Sequence, residues 1–144
     1  MPLIFRDDNS PEYRIRGRVR NRYERHAIER RKLLSAWGTI ALDDPGGYIQ
    51  TIAGSIQPIP RGPIRDFKVV VPYDYPYESP RSYSVNWLIS GPHCYGDNEM
   101  CLWRDNEWTP RYTLAYAVGK TYVWIHKYEE YLRSGVWPGR QQIH

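Results

Sequence analysis

Apolar residues early in the chain recur at helical spacing. Tyr23, Ala27, Ile28, Leu34 and Trp37 fall roughly on one face, which predicts a helix from about Asn21 to Ala36, stopped by Gly38. The period then changes. After the turn signal Asp43-Asp44-Pro45-Gly46-Gly47 come three runs enriched in β-branched or aromatic residues: Tyr48 to Gln57, Ile64 to Val71, and Arg81 to Ile89. No helix-length pattern separates them, so they predict an antiparallel meander rather than βαβ units. From Gly91 to Pro110 no period is sustained, and Gly, Asp, Asn and Pro predict a loop-rich segment. Helical spacing returns with Leu114, Ala117, Val118, Tyr122, Ile125, Tyr128 and Leu132, with Thr113 placed to cap that helix and Gly135 to end it. Residues 1–12 are aperiodic and read as a loose arm. The expectation is one α+β domain over residues 1–144.

Composition narrows the class. At 144 residues the chain can bury a real core, and 13 Tyr and 6 Trp supply large amphipathic packing area. No stretch approaches the roughly 20 apolar residues needed to span a bilayer, and no apolar h-region follows Met1, so a soluble, cytoplasmic protein with no membrane partner is expected. The net charge of +4 is unevenly spread, with eight arginines between Arg14 and Arg31. Such a run is a solvated helix face, a docking surface for an acidic protein, or a nucleic-acid contact. The last is disfavoured, because only Tyr13 and Tyr23 are at hand to stack and no groove-reading motif follows.

The only two cysteines, Cys94 and Cys101, lie within eight residues of His93. A closed zinc site needs four ligands with paired short spacings; none exist here, and His26, His126 and His144 are isolated. No metal or cofactor is expected. A disulfide across so short a loop stabilises little, and a reducing compartment opposes it. Two readings stay open on these grounds: thiols buried as small apolar groups, or a nucleophilic thiol with His93 nearby.

The order of motifs adds to this. Tyr75-Pro76 and Ser79-Pro80 are followed by a strand, then His93-Cys94-Tyr95, then Met100-Cys101-Leu102, then Trp108-Thr109-Pro110 and a long helix. Over roughly residues 21–134 this succession resembles the ubiquitin-conjugating enzyme family. The ending YEEYLRSGVWPG is similar to compact bacterial relatives, some of which stand alone in anti-phage cyclic-oligonucleotide (CBASS) operons. There are departures. A serine replaces one proline, His93-Cys94-Tyr95 stands where the family has His-Pro-Asn, and the interval from His93 to Cys101 is short.

The resemblance implies a ubiquitin-conjugating-like fold with Cys101 as a thioester acyl carrier, passing its load to an amine or a thiol. Loop N–H groups, with the Tyr95 hydroxyl or His93, would polarise the carbonyl. Cys94 is either a packing residue or a second thiol, and Asp97, Asn98, Asp105 and Asn106 either form turns or position an amine. Arg22, Arg25 and Arg30 on the first helix would dock a partner. That partner is expected to be a cGAS-like nucleotidyltransferase offering its C-terminal tail, or another ubiquitin-like protein, with or without an upstream activating enzyme. An inactive binding module and a cysteine hydrolase of the same fold are the competing readings.

Overall fold

The computed structural model describes residues 10–139; most of the expected N-terminal arm lies outside them. Helix α1 spans Arg22–Ala36, and the Asn21 side chain accepts the Glu24 N–H at 2.8 Å, which satisfies one of the first-turn donors. Six strands follow: β1 (Ala41–Asp43), β2 (Thr51–Ile56), β3 (Arg65–Val70), β4 (Arg81–Val85), β5 (Cys94–Gly96) and β6 (Glu99–Met100). They form one antiparallel sheet in the order β1-β2-β3-β4-β6-β5. Helix α2, Leu114–Ser134, is capped by the Thr113 hydroxyl, which accepts the Tyr116 N–H at 3.2 Å. It stops where Gly135 takes the left-handed conformation.

The core forms where α2 meets one face of the sheet. Ile52, Phe67 and Val69 from the strands meet Leu114, Val118, Tyr122 and Ile125 from the helix, and all are buried. Phe67 sets its ring edge-on to Tyr122 at 5.3 Å. A Cβ at Gly54 would come within 2.5 Å of the Phe67 ring, so only glycine lets β2 pass it. Tryptophans tie the periphery to the backbone. Trp37, Trp87, Trp103, Trp108 and Trp124 each donate the indole N–H to a main-chain carbonyl, of Ala115, Asp66, Pro80, Pro76 and His93 respectively. Burying so much aromatic surface is favourable only when that polar edge is satisfied.

Helix α1 corrects the sequence expectation. Tyr23 and Leu34, placed on its apolar face, are 59% and 52% exposed, while the buried residues are Arg25, His26, Glu29 and Leu33. The buried stripe is polar and most of its groups are paired, although His26 Nε2 has no hydrogen-bond partner among the described residues. Glu29 accepts from Arg25 Nε at 2.9 Å, from the Leu114 N–H at 2.9 Å and from the Tyr75 hydroxyl. Arg25 also donates to the carbonyls of Pro110 and Tyr112, at 2.7 and 2.8 Å, and His26 Nδ1 accepts the Ile49 N–H at 2.9 Å. A hydrophobicity pattern cannot register a satisfied polar core. Glu29 thereby places a carboxylate at the N-terminus of α2, where the helix dipole favours it.

The central strands appear within their expected runs, although Arg81–Ile89 stops at Val85, where Asn86 turns the chain with φ 67°. Leu132 is exposed rather than buried. Two elements were not expected, β1 and the β5–β6 hairpin, and the hairpin carries the cysteines.

Candidate active site

The segment read as a loop contains a tight hairpin. Gly96 pairs with Glu99 across Asp97 and Asn98, which both adopt positive φ, 51° and 63°. Two left-handed residues in a two-residue connection suit the right-handed twist of the flanking strands, and Asp and Asn tolerate that conformation. Asn98 is further held by accepting the Ile89 N–H at 3.3 Å. These two residues therefore build the turn.

Cys101 directly follows β6. Its N–H donates to the His93 carbonyl at 2.9 Å, and Trp124 donates to the same carbonyl at 3.0 Å. His93 is held at φ 62° with its ring 4.5 Å from that of Trp137. Its visible service to the site runs through the backbone. The Tyr95 hydroxyl lies close enough to Cys101 to influence its titration.

A nucleophilic thiol needs exposure; Cys101 is 3% exposed, between buried Met100 and Leu102. Burial pushes its pKa up. The Tyr95 hydrogen bond pulls it down, nearby Glu99 and Asp105 raise it again, and Lys120 lowers it. Tyr95 is pushed up to about 12, first by its bond to Cys101 and then by burial, so at neutral pH it keeps its proton. Beside the hairpin lies a groove of about 660 Å³ between the Tyr77–Arg81 segment and Leu102–Trp108, with Tyr95 on its wall. Glu78, Glu99 and Asp105 line it together with Arg81 and Arg104, and Arg81 lies 3.9 Å from both Glu78 and Glu99.

Cys94 is half-buried against the core, with its sulfur 3.6 Å from the Pro92 carbonyl. Both cysteines are free thiols, and burial, followed by the charge of Cys101, raises the pKa of Cys94. Among the described residues no group of three or more His, Cys, Asp or Glu is arranged to hold a metal ion, and no helix is long and apolar enough to cross a membrane.

The three arginines expected to dock a partner part company. Arg25 is 7% exposed and bound up in the Glu29 cluster, so it offers no charge to a partner, a correction that follows from the polar stripe of α1. Arg30 is half-buried, paired with Asp44 at 2.7 Å and bonded to the Gly47 carbonyl. Arg22 is exposed, stacked over Tyr73 and Tyr48 at 4.6 and 5.5 Å. Sequence reading missed the cluster on Arg25; the Arg25–Glu29 spacing of four, so close to the Tyr75 motif in the fold, was its only trace.

Two helices and an antiparallel six-stranded sheet, with a cysteine at the end of a hairpin beside a groove, fit an E2-like fold. The family model for the Type II CBASS E2 protein, E2-CBASS, matches residues 31–144. The chain belongs to that family, a compact E2-like component of CBASS defence. No curated protein and no solved structure matches it.

Proposed function

We propose that this chain is an acyltransferase of the ubiquitin-conjugating type. It carries a protein's C-terminal acyl group as a thioester on Cys101 and passes it to an amine or thiol acceptor. The donor of the tail is a cGAS-like nucleotidyltransferase of the same defence system. The observation that carries this reading is the Cys101 thiol fixed at the end of the β5–β6 hairpin, between Met100 and Leu102, which both line an open groove. A thioester keeps the tail's carbonyl reactive and splits one difficult transfer into two easier ones. The groove runs from the Tyr77–Arg81 segment to the hairpin and supplies room for an extended tail.

The hydrolase reading loses support, since the His93 ring lies against Trp137. Burial of Cys101 favours the other alternative, an inactive binding module, because a buried protonated thiol is a poor nucleophile. Under the transferase reading, the hairpin segment yields when the tail enters and exposes the thiol. Incubation with the nucleotidyltransferase and its activated tail should yield an adduct one partner mass heavier, cleaved by added thiol and lost in Cys101→Ala. Persistence of the adduct in Cys101→Ala contradicts the assignment; binding without any adduct in the parent supports the binding module.

A further inference from the structure

We infer that Trp124 is the positioning residue for Cys101: through the His93 carbonyl it holds the cysteine's backbone against α2, and release of that bond is the step that exposes the thiol. The inference rests on Cys101 as the thiol that an incoming tail must reach. A thiol 3% exposed attacks nothing until something moves. The least costly movement lies at the edge of the sheet. Strand β6 is held to β4 by two residue pairs and to β5 by two, and β5 is the edge strand. At its turn the hairpin is tied down by Asn98, whose carbonyl accepts the Ser84 N–H at 3.0 Å and whose side chain accepts the Ile89 N–H. At the cysteine end the tie runs through one carbonyl. The His93 oxygen accepts the Cys101 N–H at 2.9 Å and the Trp124 indole N–H at 3.0 Å, which joins the hairpin to α2.

Both sides of the Trp124 bond are held in place. His93 sits at φ 62°, a left-handed conformation unfavourable for a residue with a side chain, and such backbone persists where its surroundings over-determine it. Those surroundings include the two donors on its carbonyl and the Trp137 ring, 4.5 Å from the imidazole. Trp124 has little freedom to swing. It is 4% exposed, stacked on Tyr128 at 5.0 Å with the planes 12° apart, and bordered by Trp137 at 5.4 Å. With the bond made, the carbonyl is pinned and the cysteine N–H with it. With the bond broken, His93 leaves its left-handed conformation and β5 lifts from α2. Cys101 is then uncovered while β1 to β4 and α2 stay folded. Local openings of this kind belong to weakly paired edges and need no global unfolding. A tail therefore meets a fraction of molecules already open, and Trp124 sets that fraction.

Trp124→Phe removes the indole N–H and keeps an aromatic ring against Tyr128. The readout is the rate at which iodoacetamide alkylates Cys101 in a Cys94→Ala background, measured across low urea concentrations. Without the tryptophan change, labelling should outpace global unfolding and depend little on urea, the mark of an opening that exposes little surface. Trp124→Phe should raise the rate by about tenfold, the shift expected for one lost hydrogen bond, and keep the flat urea dependence. Trp37→Phe is the control. It loses an equivalent bond, from the residue after α1 to the Ala115 carbonyl in the first turn of α2. It should lower the melting temperature comparably and leave labelling at low urea unchanged. Labelling of Trp124→Phe at the unmodified rate overturns the inference, as does labelling that follows global stability in both variants. None of these readings requires a thioester. If labelling runs through the Trp124-governed opening and the activated tail still forms no adduct, the catch stands and Cys101 as carrier falls.

Discussion

Glu29 is where α1, α2 and the Tyr75 loop converge, and its partners show how a buried charge is made tolerable. Burial raises its pKa, against the lowering supplied by Arg25, the Tyr75 hydroxyl and the Leu114 N–H. Such a pair contributes little relative to well-packed apolar residues, yet breaking it is costly because one charge is left unpaired in the core. Arg25→Ala should therefore destabilise the fold by about 3–5 kcal/mol in urea unfolding. The double replacement Arg25→Met with Glu29→Leu should cost distinctly less than the two single losses combined. Additive effects would mean that the pair is not coupled. The same logic explains why Arg25 was misread as a docking residue: in sequence it is one arginine among eight, and only its neighbours in space remove it from the surface.

At the scale of elements, legibility followed the apolar content. Helix α2 has an almost continuous buried face and was readable to its caps, Thr113 and Gly135. Strands β2, β3 and β4 carry enough β-branched and aromatic residues to announce themselves. The β5–β6 hairpin was hidden, because strands of three and two residues are too short to show a period and the Asp97-Asn98 turn resembles any polar loop. The cysteine pair was visible in the sequence; the irregular hairpin that carries Tyr95 between them was not, since it exists only in the pairing. The basic face of α1 also changes under the structure. Arg14, Arg16, Arg18, Arg31 and Lys32 line a groove of about 460 Å³ between the N-terminal segment and α1, with Arg22 exposed nearby. Charge reversal at Arg18, Arg22 and Arg31, leaving Arg25 and Arg30 alone, should weaken binding of an acidic protein partner. Parent binding should be strongly salt-dependent, and the melting temperature should stay near that of the parent, because exposed charges contribute about 0–1 kcal/mol each. Titration calorimetry at two salt concentrations checks this. Unchanged affinity leaves the arginines as a solvated face.

The whole molecule is electrically divided. Residues 14–32 hold nine cations and two carboxylates, so the rest of the chain is net acidic. The groove beside Cys101 includes Glu78, Glu99 and Asp105. A partner held by the basic face would leave that groove, where Arg81 and Arg104 also lie, free to receive a tail or an amine. The family match begins at residue 31, so most of the arginine run lies outside the matched span. The central claim is that Cys101, and neither Cys94 nor a lysine, carries the acyl group. Peptide mapping of the adduct formed by the parent protein, trapped at mildly acidic pH before thiol treatment, tests it most directly. The account predicts the partner's C-terminal residues attached through a hydroxylamine-labile bond to the peptide containing Cys101, and the same attachment in Cys94→Ala. A label found on the Cys94 peptide, or a hydroxylamine-resistant bond to lysine with none on Cys101, would contradict it.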